Sequence, residues 1–285
     1  MRVTQLGSGG NFPIPMPTCG CRVCTEAREE GGRYVRRGNA TFVHDDHALI
    51  DTPEQVGPML NDAGIDRVEY VFLTHFHGDH VNGLSVVQAL GRPEFPLDGW
   101  ANADPPTLVM SEATRRAIER SQPYRLKYDG VFVETRVLDD GESMDLGETT
   151  VTNLEVPMAP DGDQRMSNFL FEGDAKLLVS PDETKYLNLY RVPSDLDCWI
   201  KECGLFREDP DGDPLFADSL WAEERETEIT FERTVEQVEE VRPERTILTE
   251  LEEIYGRSYD DYLALEERYD RLGITFGYDG LTVDL

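Results

Sequence analysis

The stretch Thr74-His75-Phe76-His77-Gly78-Asp79-His80 holds the densest cluster of metal-ligand side chains in this sequence. It follows the apolar run Val68–Leu73, which predicts a buried strand. Loops after buried strands are where α/β folds place ligand sites, and imidazole and carboxylate side chains together suit zinc, manganese or iron. The pattern therefore predicts a metal site whose ligands are His75, His77, Asp79 and His80.

The spacing of these ligands favours two metal centres. Ligands two residues apart and ligands next to each other can point at two centres, and two metals roughly 3.5–4 Å apart can bind one phosphate and lower the pKa of a bridging water to about 7. The alternative is a chance cluster of polar loop residues. Three of the five histidines of the chain lie in this short stretch, together with an aspartate, which favours the metal site.

Strand and helix patterns alternate along the 285 residues, and no interdomain linker interrupts them. This alternation predicts one α/β domain over residues 1–285, with a cysteine-rich loop at 13–24 and an exposed acidic loop or lid at about 204–230. The predicted strands are Val3–Leu6, Ala40–Val43, Ala48–Ile50, Val68–Leu73, Leu108–Met110, Val131–Val137, Thr149–Val156, Phe169–Glu172, Leu177–Ser180, Thr246–Leu248 and Leu281–Val283. The predicted helices are Gln55–Ala63, Leu84–Leu90, Glu112–Arg120, Phe231–Val241 and Tyr259–Leu272.

The formal net charge is −30, from 57 acidic and 27 basic residues. Such self-repulsion is relieved by salt, so we interpret the composition as that of a halophile's cytosolic protein. The acidity argues against non-specific nucleic-acid binding, which needs a basic patch. No apolar run is long enough to span a membrane, and the N-terminus lacks a signal-peptide pattern, so we expect a cytoplasmic protein without a membrane partner. A homodimer remains compatible with the sequence.

Three segments together resemble the metallo-β-lactamase family. The histidine motif after Val71-Phe72-Leu73 resembles its metal signature, and Leu49-Ile50-Asp51-Thr52 resembles its second-strand motif. The segment Leu6–Pro13, followed by Cys19-Gly20-Cys21-Arg22-Val23-Cys24, is similar to the cyclic phosphodiesterases of the carbon–phosphorus lyase pathway and to pyrroloquinoline quinone biosynthesis protein B. The resemblance implies an α/β (α+β) fold of the metallo-β-lactamase type, an αββα sandwich with the site at its rim.

The resemblance also implies roles for individual residues. His75 and His77 would bind a first metal, and Asp79 and His80 a second. Asp182, in Ser180-Pro181-Asp182-Glu183-Thr184, would bridge the two. Asp79 would also orient the attacking water as the catalytic residue. Glu250 stands where the family has the last ligand of its second metal.

The sequence departs from the family in its second half, which contains no histidine. The third ligand of the first metal is expected at Pro160, which has no ligand atom, so Asp161 or Asp163 would have to replace it. The histidine that meets substrate in the family is replaced by Glu228. Either carboxylates replace imidazoles, which favours manganese or magnesium over zinc, or the site is degenerate.

Two functional hypotheses follow from these departures. The first is a metal-dependent hydrolase of a phosphodiester such as a cyclic phosphate, with one or two zinc or manganese ions. The second is a family member with a degenerate site that acts as a binding or cofactor-biosynthesis accessory protein. The intact histidine motif favours the first hypothesis, and the missing late histidines favour the second.

The cysteine cluster predicts a structural zinc site. Cys19, Cys21 and Cys24 offer three thiolates within six residues, and structural zinc takes four ligands. The fourth ligand of the family is a histidine three residues past the late metal ligand, a position that Glu253 occupies here. The alternative is three ordinary reduced cysteines. An odd total of five cysteines argues against a disulfide framework.

Overall fold

The computed structural model describes residues 1–90, 104–121, 133–159, 162 and 164–285. Within these residues the first sheet has seven strands, in the order β14-β1-β2-β3-β4-β5-β6. Strands β3, β4, β5 and β6 run parallel, so their carboxyl ends share one edge of the sheet. The strands are β1 (Arg2–Gly7), β2 (Ala40–Val43), β3 (Ala48–Ile50), β4 (Tyr70–Phe72), β5 (Thr107–Met110), β6 (Glu134–Val137) and β14 (Leu281–Asp284).

The second sheet also has seven strands in the described part of the chain, in the order β13-β12-β11-β10-β9-β8-β7. Its strands β10, β11, β12 and β13 run parallel. The long antiparallel pair β8–β9 adds the far side of the sheet. The strands are β7 (Ser143–Asp145), β8 (Thr150–Pro157), β9 (Arg165–Glu172), β10 (Lys176–Ser180), β11 (Cys198–Glu202), β12 (Arg245–Thr249) and β13 (Ile274–Phe276).

Apolar residues on both faces of the two sheets produce a layered core. Phe169 and Phe171 of β9 pack between the sheets against Phe72, with ring centroids 5.0 and 5.7 Å away. Leu170, which alternates with them, packs on the opposite face of the second sheet. Because both faces are buried, helices must cover the outside. The helices are α1 (Arg22–Glu30), α2 (Val56–Asp62), α3 (Gly78–Val81), α4 (Glu112–Ser121), α5 (Asp218–Thr227), α6 (Phe231–Val241) and α7 (Tyr259–Tyr269).

The outer helices bury one stripe each. Val235 and Val238 of α6 pack on the second sheet, and Val56 and Met59 of α2 pack on the first. The architecture is thus helix, sheet, sheet, helix, and the predicted αββα sandwich is confirmed. No helix in the described ranges is both long and apolar enough to span a bilayer.

The acidic segment at about 204–230 corrects one expectation. The sequence predicts a loop there, but residues 218–227 form α5, a helix with no buried residue. Its conformation is fixed at the carboxyl end, where the Tyr186 hydroxyl donates to the Glu226 carbonyl (2.9 Å) and Lys185 donates to the Arg225 carbonyl. Helix-forming residues without an apolar stripe give no periodic signal, so this helix was missed.

Other boundaries differ more modestly from the predictions. Residues 84–89 form a 3₁₀ helix in place of the expected α-helix, and α1 already begins at Arg22 inside the cysteine-rich loop. Strands β7, β11 and β13 were not predicted, because they are short or rich in polar residues. Residues 131 and 132 lie outside the described residues, so the start of the predicted strand Val131–Val137 is not described. In the described part of the chain, β6 begins at Glu134.

Candidate metal centre and its cavity

The residues of the metal motif lie where the carboxyl ends of parallel strands from both sheets meet. Residues 73–77 connect β4 to α3, which carries Asp79 and His80. Asp51 directly follows β3, the neighbour of β4. Asp182 lies two residues beyond the end of β10, and Glu250 directly follows β12. The sandwich therefore brings segments that are distant in sequence to one rim.

Two groups of three ligand atoms form at this rim. His75, His77 and Asp182 make one triad, and the ligand atoms of each triad lie within 4.8 Å of one another. Asp79, His80 and Glu250 make the other. Each group contains enough donors for a three-coordinate protein site that leaves positions open for water. The first triad is richer in imidazole, and the second is richer in carboxylate.

Asp182 stands between the two triads. Its Oδ2 atom lies 3.3 Å from His75 Nε2 and 3.7 Å from His80 Nε2. His80 Nε2 also lies 3.5 Å from Asp79 Oδ2 and 3.8 Å from Glu250 Oε1. These positions are those expected of a bridging carboxylate flanked by two ligand sets.

The buried imidazoles test whether the site fits metal ions. His75 and His80 are fully buried, yet the Nε2 atom of each has no hydrogen-bond partner in the described structure. A buried polar atom without a partner is costly. Both atoms point at carboxylates at separations longer than most hydrogen bonds. Imidazoles that face several carboxylates form the donor set of a divalent metal, so the residues fit one.

Asp51 orients this donor set from below. Its Oδ2 atom lies 2.8 Å from His80 Nδ1 and accepts a bond from the Thr74 hydroxyl (2.8 Å), while Oδ1 accepts the Thr74 backbone N–H (2.8 Å). The Thr74 hydroxyl also lies 3.0 Å from His75 Nδ1. A carboxylate behind a histidine fixes the ring so that Nε2 faces the metal. One buried aspartate thus orients histidines of both triads.

Backbone strain concentrates at the same rim. Asp51, Glu183 and Glu250 all have positive φ values, of +63°, +50° and +58°. Non-glycine residues in this left-handed region cost of order 1–3 kcal/mol and persist where the surrounding structure forces them. Each of the three follows the carboxyl end of a strand. The turn at each position directs a carboxylate toward the site, either that of the residue itself or that of the residue next to it. Asn39 also holds Glu250, donating from Nδ2 to Oε1 at 2.7 Å.

Crowded charges shift the protonation of these groups. Burial would lower the pKa of His80, but Asp79 and Asp51 outweigh burial and raise it well above its usual value. Burial raises the pKa of Glu250 well above its ordinary range, and Asp182 adds to the rise. The pKa of Asp182 lies well below its ordinary value because the attraction of the three histidines outweighs burial. Bound cations would relieve this repulsion among the buried carboxylates.

His77 is held ready as a neutral ligand. Burial and the neighbouring His75 lower its pKa to about 4, although Asp182 pulls in the other direction. At neutral pH its lone pair is therefore available, as metal binding requires.

A cavity of about 670 Å³ opens onto both triads. Asp79, Asp182 and Glu250 form part of its lining. Further acids line the remainder, and burial together with neighbouring carboxylates raises the pKa of Glu228 to about 8 and that of Glu252 to about 7. These carboxyls therefore keep their protons to higher pH than ordinary glutamates do, and the wall gains negative charge as the pH rises above neutrality.

The structure places most of the predicted site residues together. The six proposed metal ligands form the two triads, and Glu228 lies on the cavity wall, outside both triads. Asp161 and Asp163, the proposed substitute ligands, lie outside the described residues. Sequence reasoning assigned no role to Asp51, although it stood in a quoted strand motif, and it missed Asn39 and Glu252.

The cysteine cluster forms a second candidate metal site away from the cavity. The Sγ atoms of Cys21, Cys19 and Cys24 lie 3.0, 3.2 and 3.8 Å from Glu253 Oε1. All four ligand atoms lie within 4.8 Å of one another. Cys21 is also the N-cap of α1, since its sulfur accepts the Cys24 backbone N–H. Burial and the Glu253 carboxylate raise the pKa of Cys21 to about 12, so a thiolate here needs a cation.

Comparison with known proteins identifies the family. The model of the beta-lactamase superfamily domain matches residues 47–249, which is most of the chain. The chain belongs to this superfamily, and its coarse class is that of a metallo-β-lactamase-superfamily hydrolase with the fold described above.

Several solved structures match over nearly the full length, among them the following two. The chain is similar to a diphosphatase from the PhnP family, with 22% identity and a TM-score of 0.71, covering 99% of this chain and 97% of that one. It is similar to zinc-bound PqqB from Methylobacterium extorquens, with 17% identity and a TM-score of 0.73, covering 100% of both. At these identities the likeness establishes the shared fold.

Curated relatives match over shorter segments. Ribonuclease Z of Salinibacter ruber is 31% identical over 126 residues, which are 42% of this chain and 35% of that protein. An octanoyltransferase of Porphyromonas gingivalis is 36% identical over 93 residues, which are 32% of this chain and 18% of that protein. The chain thus spans about a third or less of the length of these relatives.

Proposed function

We propose that this protein is a metal-dependent phosphodiesterase. The observation that carries the proposal is the position of Asp182 between two triads of ligand atoms at the floor of one cavity. A pair of sites that shares a carboxylate is the arrangement of two-metal hydrolysis of phosphate esters. His75, His77 and Asp182 would hold one ion, and Asp79, His80 and Glu250 the other, with zinc or manganese as the ion.

Bound divalent ions would supply Lewis acidity and a water molecule made acidic enough to attack at neutral pH. The residues of the chain do the remaining work. Asp79 lines the cavity, so its carboxylate can accept a hydrogen bond from the attacking water and orient it. Asp51 holds His80 in place from behind. Ile229 and Ile254 add apolar surface to the lining of the cavity.

Hydrolysis balances as the addition of one water across the ester. The water oxygen forms a bond to phosphorus, the bond from phosphorus to the leaving alcohol breaks, and one water proton passes to the alcohol. The products are a phosphomonoester and an alcohol. Glu252 is a cavity group whose raised pKa suits it to carry a proton near neutral pH.

The relatives support the reaction class. A diphosphatase and a ribonuclease are both enzymes that act on phosphate linkages. The full-length match to the diphosphatase supports transfer of the fold, and the cavity supports transfer of the chemistry. A cyclic phosphate is the substrate that the resemblance in the sequence favours.

The test is hydrolysis of bis(4-nitrophenyl) phosphate in high salt after chelation and re-addition of manganese or zinc. We expect metal-dependent turnover that Asp79→Ala reduces at least about a hundredfold, the size typical of losing a positioned catalytic group. Asp66→Ala, which removes an exposed aspartate, is the matched control. Turnover that survives Asp79→Ala, or that ignores chelation, would refute the mechanism.

One observation favours the second hypothesis, an accessory protein with a degenerate site. Five histidines all precede residue 81, so carboxylates occupy the later ligand positions, and PqqB is among the full-length structural matches. Metal analysis separates the two hypotheses. A protein that takes up neither manganese nor zinc at this centre supports the accessory function.

A further inference from the structure

The cavity wall carries more carboxyl groups than metal binding at its floor requires. Beyond the three carboxylates of the triads, five further acids line the cavity. Glu224 and Glu228 come from the carboxyl end of α5, where the Glu228 backbone N–H bonds the Glu224 carbonyl at 2.8 Å. These five residues are Glu183, Glu202, Glu224, Glu228 and Glu252.

No lysine or arginine lines this cavity among the residues that the structure describes. The two lysines nearest to the wall are already engaged. Lys201 is fully buried and donates to the Thr184 hydroxyl, which in turn donates to Glu202 at 2.6 Å. Lys185 donates to the Arg225 carbonyl. Glu202 is therefore compensated by Lys201. Among the described residues, no lysine or arginine forms an ion pair with Glu183, Glu224 or Glu228, although Lys185 attracts Glu228 electrostatically.

The buried histidines at the floor of the cavity are independent evidence of a ligand site. His75 and His80 are fully buried, and their partnerless Nε2 atoms face Asp182 and Glu250, which line the cavity. Phosphate sites usually place basic side chains beside the anion. A wall of carboxylates instead repels a group that is purely anionic, and it attracts a cation.

Three aromatic residues, Phe12, Phe216 and Tyr255, also line the cavity. Phe12 lies in the loop after β1, and Phe216 directly precedes the N-cap of α5. Aromatic faces combined with carboxylates are the usual surroundings of an organic ammonium group. The backbone N–H of Phe12 donates to Glu252 Oε1 at 3.0 Å, so this ring is tied to the acidic wall.

We propose that the cavity selects phosphodiesters that carry a positively charged ammonium group on the alcohol flanking the phosphate. The phosphate would lie at the two triads, and the ammonium group would lie against Glu228 and Glu224. This inference rests on the proposed phosphodiesterase function and adds the substrate class. Glu228 is thereby a specificity residue, in the position where the family has a histidine that meets substrate.

The experiment compares two chromogenic diesters that differ in one atom. 4-Nitrophenyl phosphocholine carries a quaternary ammonium group, and 4-nitrophenyl 3,3-dimethylbutyl phosphate is its carbon isostere, which lacks that positive charge and has the same leaving group. We expect kcat/KM to be about tenfold higher for the choline ester, a difference of about 1.4 kcal/mol. Both are assayed with the metal-loaded protein at one fixed ionic strength.

Two variants test whether Glu228 causes the preference for the choline ester. Glu228→Gln keeps the shape and removes the charge, so the ratio of the two kcat/KM values should fall to about two to three, in the range left by aromatic contacts alone. Glu223→Gln, on the exposed face of α5, is the matched control and should keep the ratio of the native protein.

The outcomes separate this inference from the function on which it rests. Hydrolysis of both diesters with equal or lower kcat/KM for the choline ester overturns the ammonium preference and leaves the phosphodiesterase proposal standing. Hydrolysis of neither ester refutes the phosphodiesterase proposal. Calorimetric binding of phosphocholine against 3,3-dimethylbutyl phosphate then still decides the charge preference, and equal affinities would overturn it, as expected if inorganic cations neutralise the wall.

Discussion

Asp51 contributes to the metal centre without belonging to either triad. It is almost completely buried, accepts two bonds from Thr74 and contacts His80 Nδ1. Through Thr74 it also acts on His75. Such partners behind ligand histidines commonly change metal affinity 10- to 100-fold when they are lost.

We therefore expect Asp51→Asn to weaken metal binding by about 10- to 100-fold. The asparagine amide has the same size as the carboxylate, but its NH2 group cannot accept a hydrogen bond from Thr74. The substitution also removes the negative charge that holds His80. Titration of the chelated protein with manganese or zinc measures this effect, with Asp66→Asn as an exposed control. Unchanged affinity would show that Asp51 serves only to hold the strand end.

Gly10 is a second residue whose effect comes from proximity. A Cβ atom at this position would lie 1.9 Å from Glu250 Oε2 and 2.8 Å from Glu252 Oε1. Real Cβ atoms do not approach so closely, so a side chain would displace Glu250 from its triad. The glycine is thus required for the approach of the N-terminal loop to the second triad.

Gly10→Ala should accordingly reduce the metal content of the centre while leaving the fold largely intact. Gly20→Ala is the matched control, because no atom lies within 4 Å of its added Cβ. Element analysis after dialysis gives the stoichiometry. Equal metal content in both variants would mean that Glu250 is not a ligand.

At the level of elements, the segment after β12 joins the two candidate metal sites. Glu250 belongs to the second triad, and Glu253 closes the cysteine cluster. Between them, the Leu251 backbone N–H bonds the Ser8 carbonyl and Glu252 bonds Phe12. The cluster also caps α1 through Cys21. It therefore fastens the N-terminal loop and α1 to the end of the second sheet.

Replacing Cys21 with serine should lower the thermal stability because both a metal ligand and the preferred cap geometry are lost. We expect a decrease of several degrees in Tm, with one equivalent of zinc lost per chain and kcat changed little. A zinc-specific chelator should lower the Tm of the native protein toward that of the variant. A variant that retains the native Tm and zinc content would indicate ordinary reduced cysteines.

On the scale of the whole molecule, net charge is the dominant feature. A charge of −30 on 285 residues makes the folded chain repel itself. Surface ion pairs such as Arg115 with Glu112 and Arg271 with Glu239 offset little of this repulsion, because exposed pairs contribute about 0–1 kcal/mol each. Screening by salt is the stronger effect, since the Debye length falls to about 3 Å at 1 M.

Stability should therefore rise with salt. We expect Tm to increase by about 10 °C or more between 0.1 and 2 M KCl at neutral pH, given that about 1 kcal/mol shifts Tm by a few degrees in a domain of this size. Near pH 4.4, where the sequence charge balances, the increase should shrink. A flat or falling Tm at neutral pH would contradict the halophilic interpretation.

The pattern of the sequence predicted one α/β domain and half of the centre, whereas the αββα sandwich was proposed from the family resemblance. The strand before the histidine motif and the motif itself are contiguous, so local spacing brings His75, His77, Asp79 and His80 together wherever the strand ends. The consecutive apolar residues of β9 likewise indicate a strand that is buried on both faces of its sheet. Asp182, Glu250 and Glu253 were proposed from resemblance, because nothing in their local sequence distinguishes them from turn acids.

Only the tertiary structure decided how the distant carboxylates combine. Asp51, Asp182 and Glu250 follow strands of two different sheets, and they meet because the carboxyl ends of those strands share one rim of the sandwich. The same packing places Glu228 of the helical acidic segment on the cavity wall. Local sequence fixes which side chains can bind a cation, whereas long-range strand pairing fixes which of them bind it together.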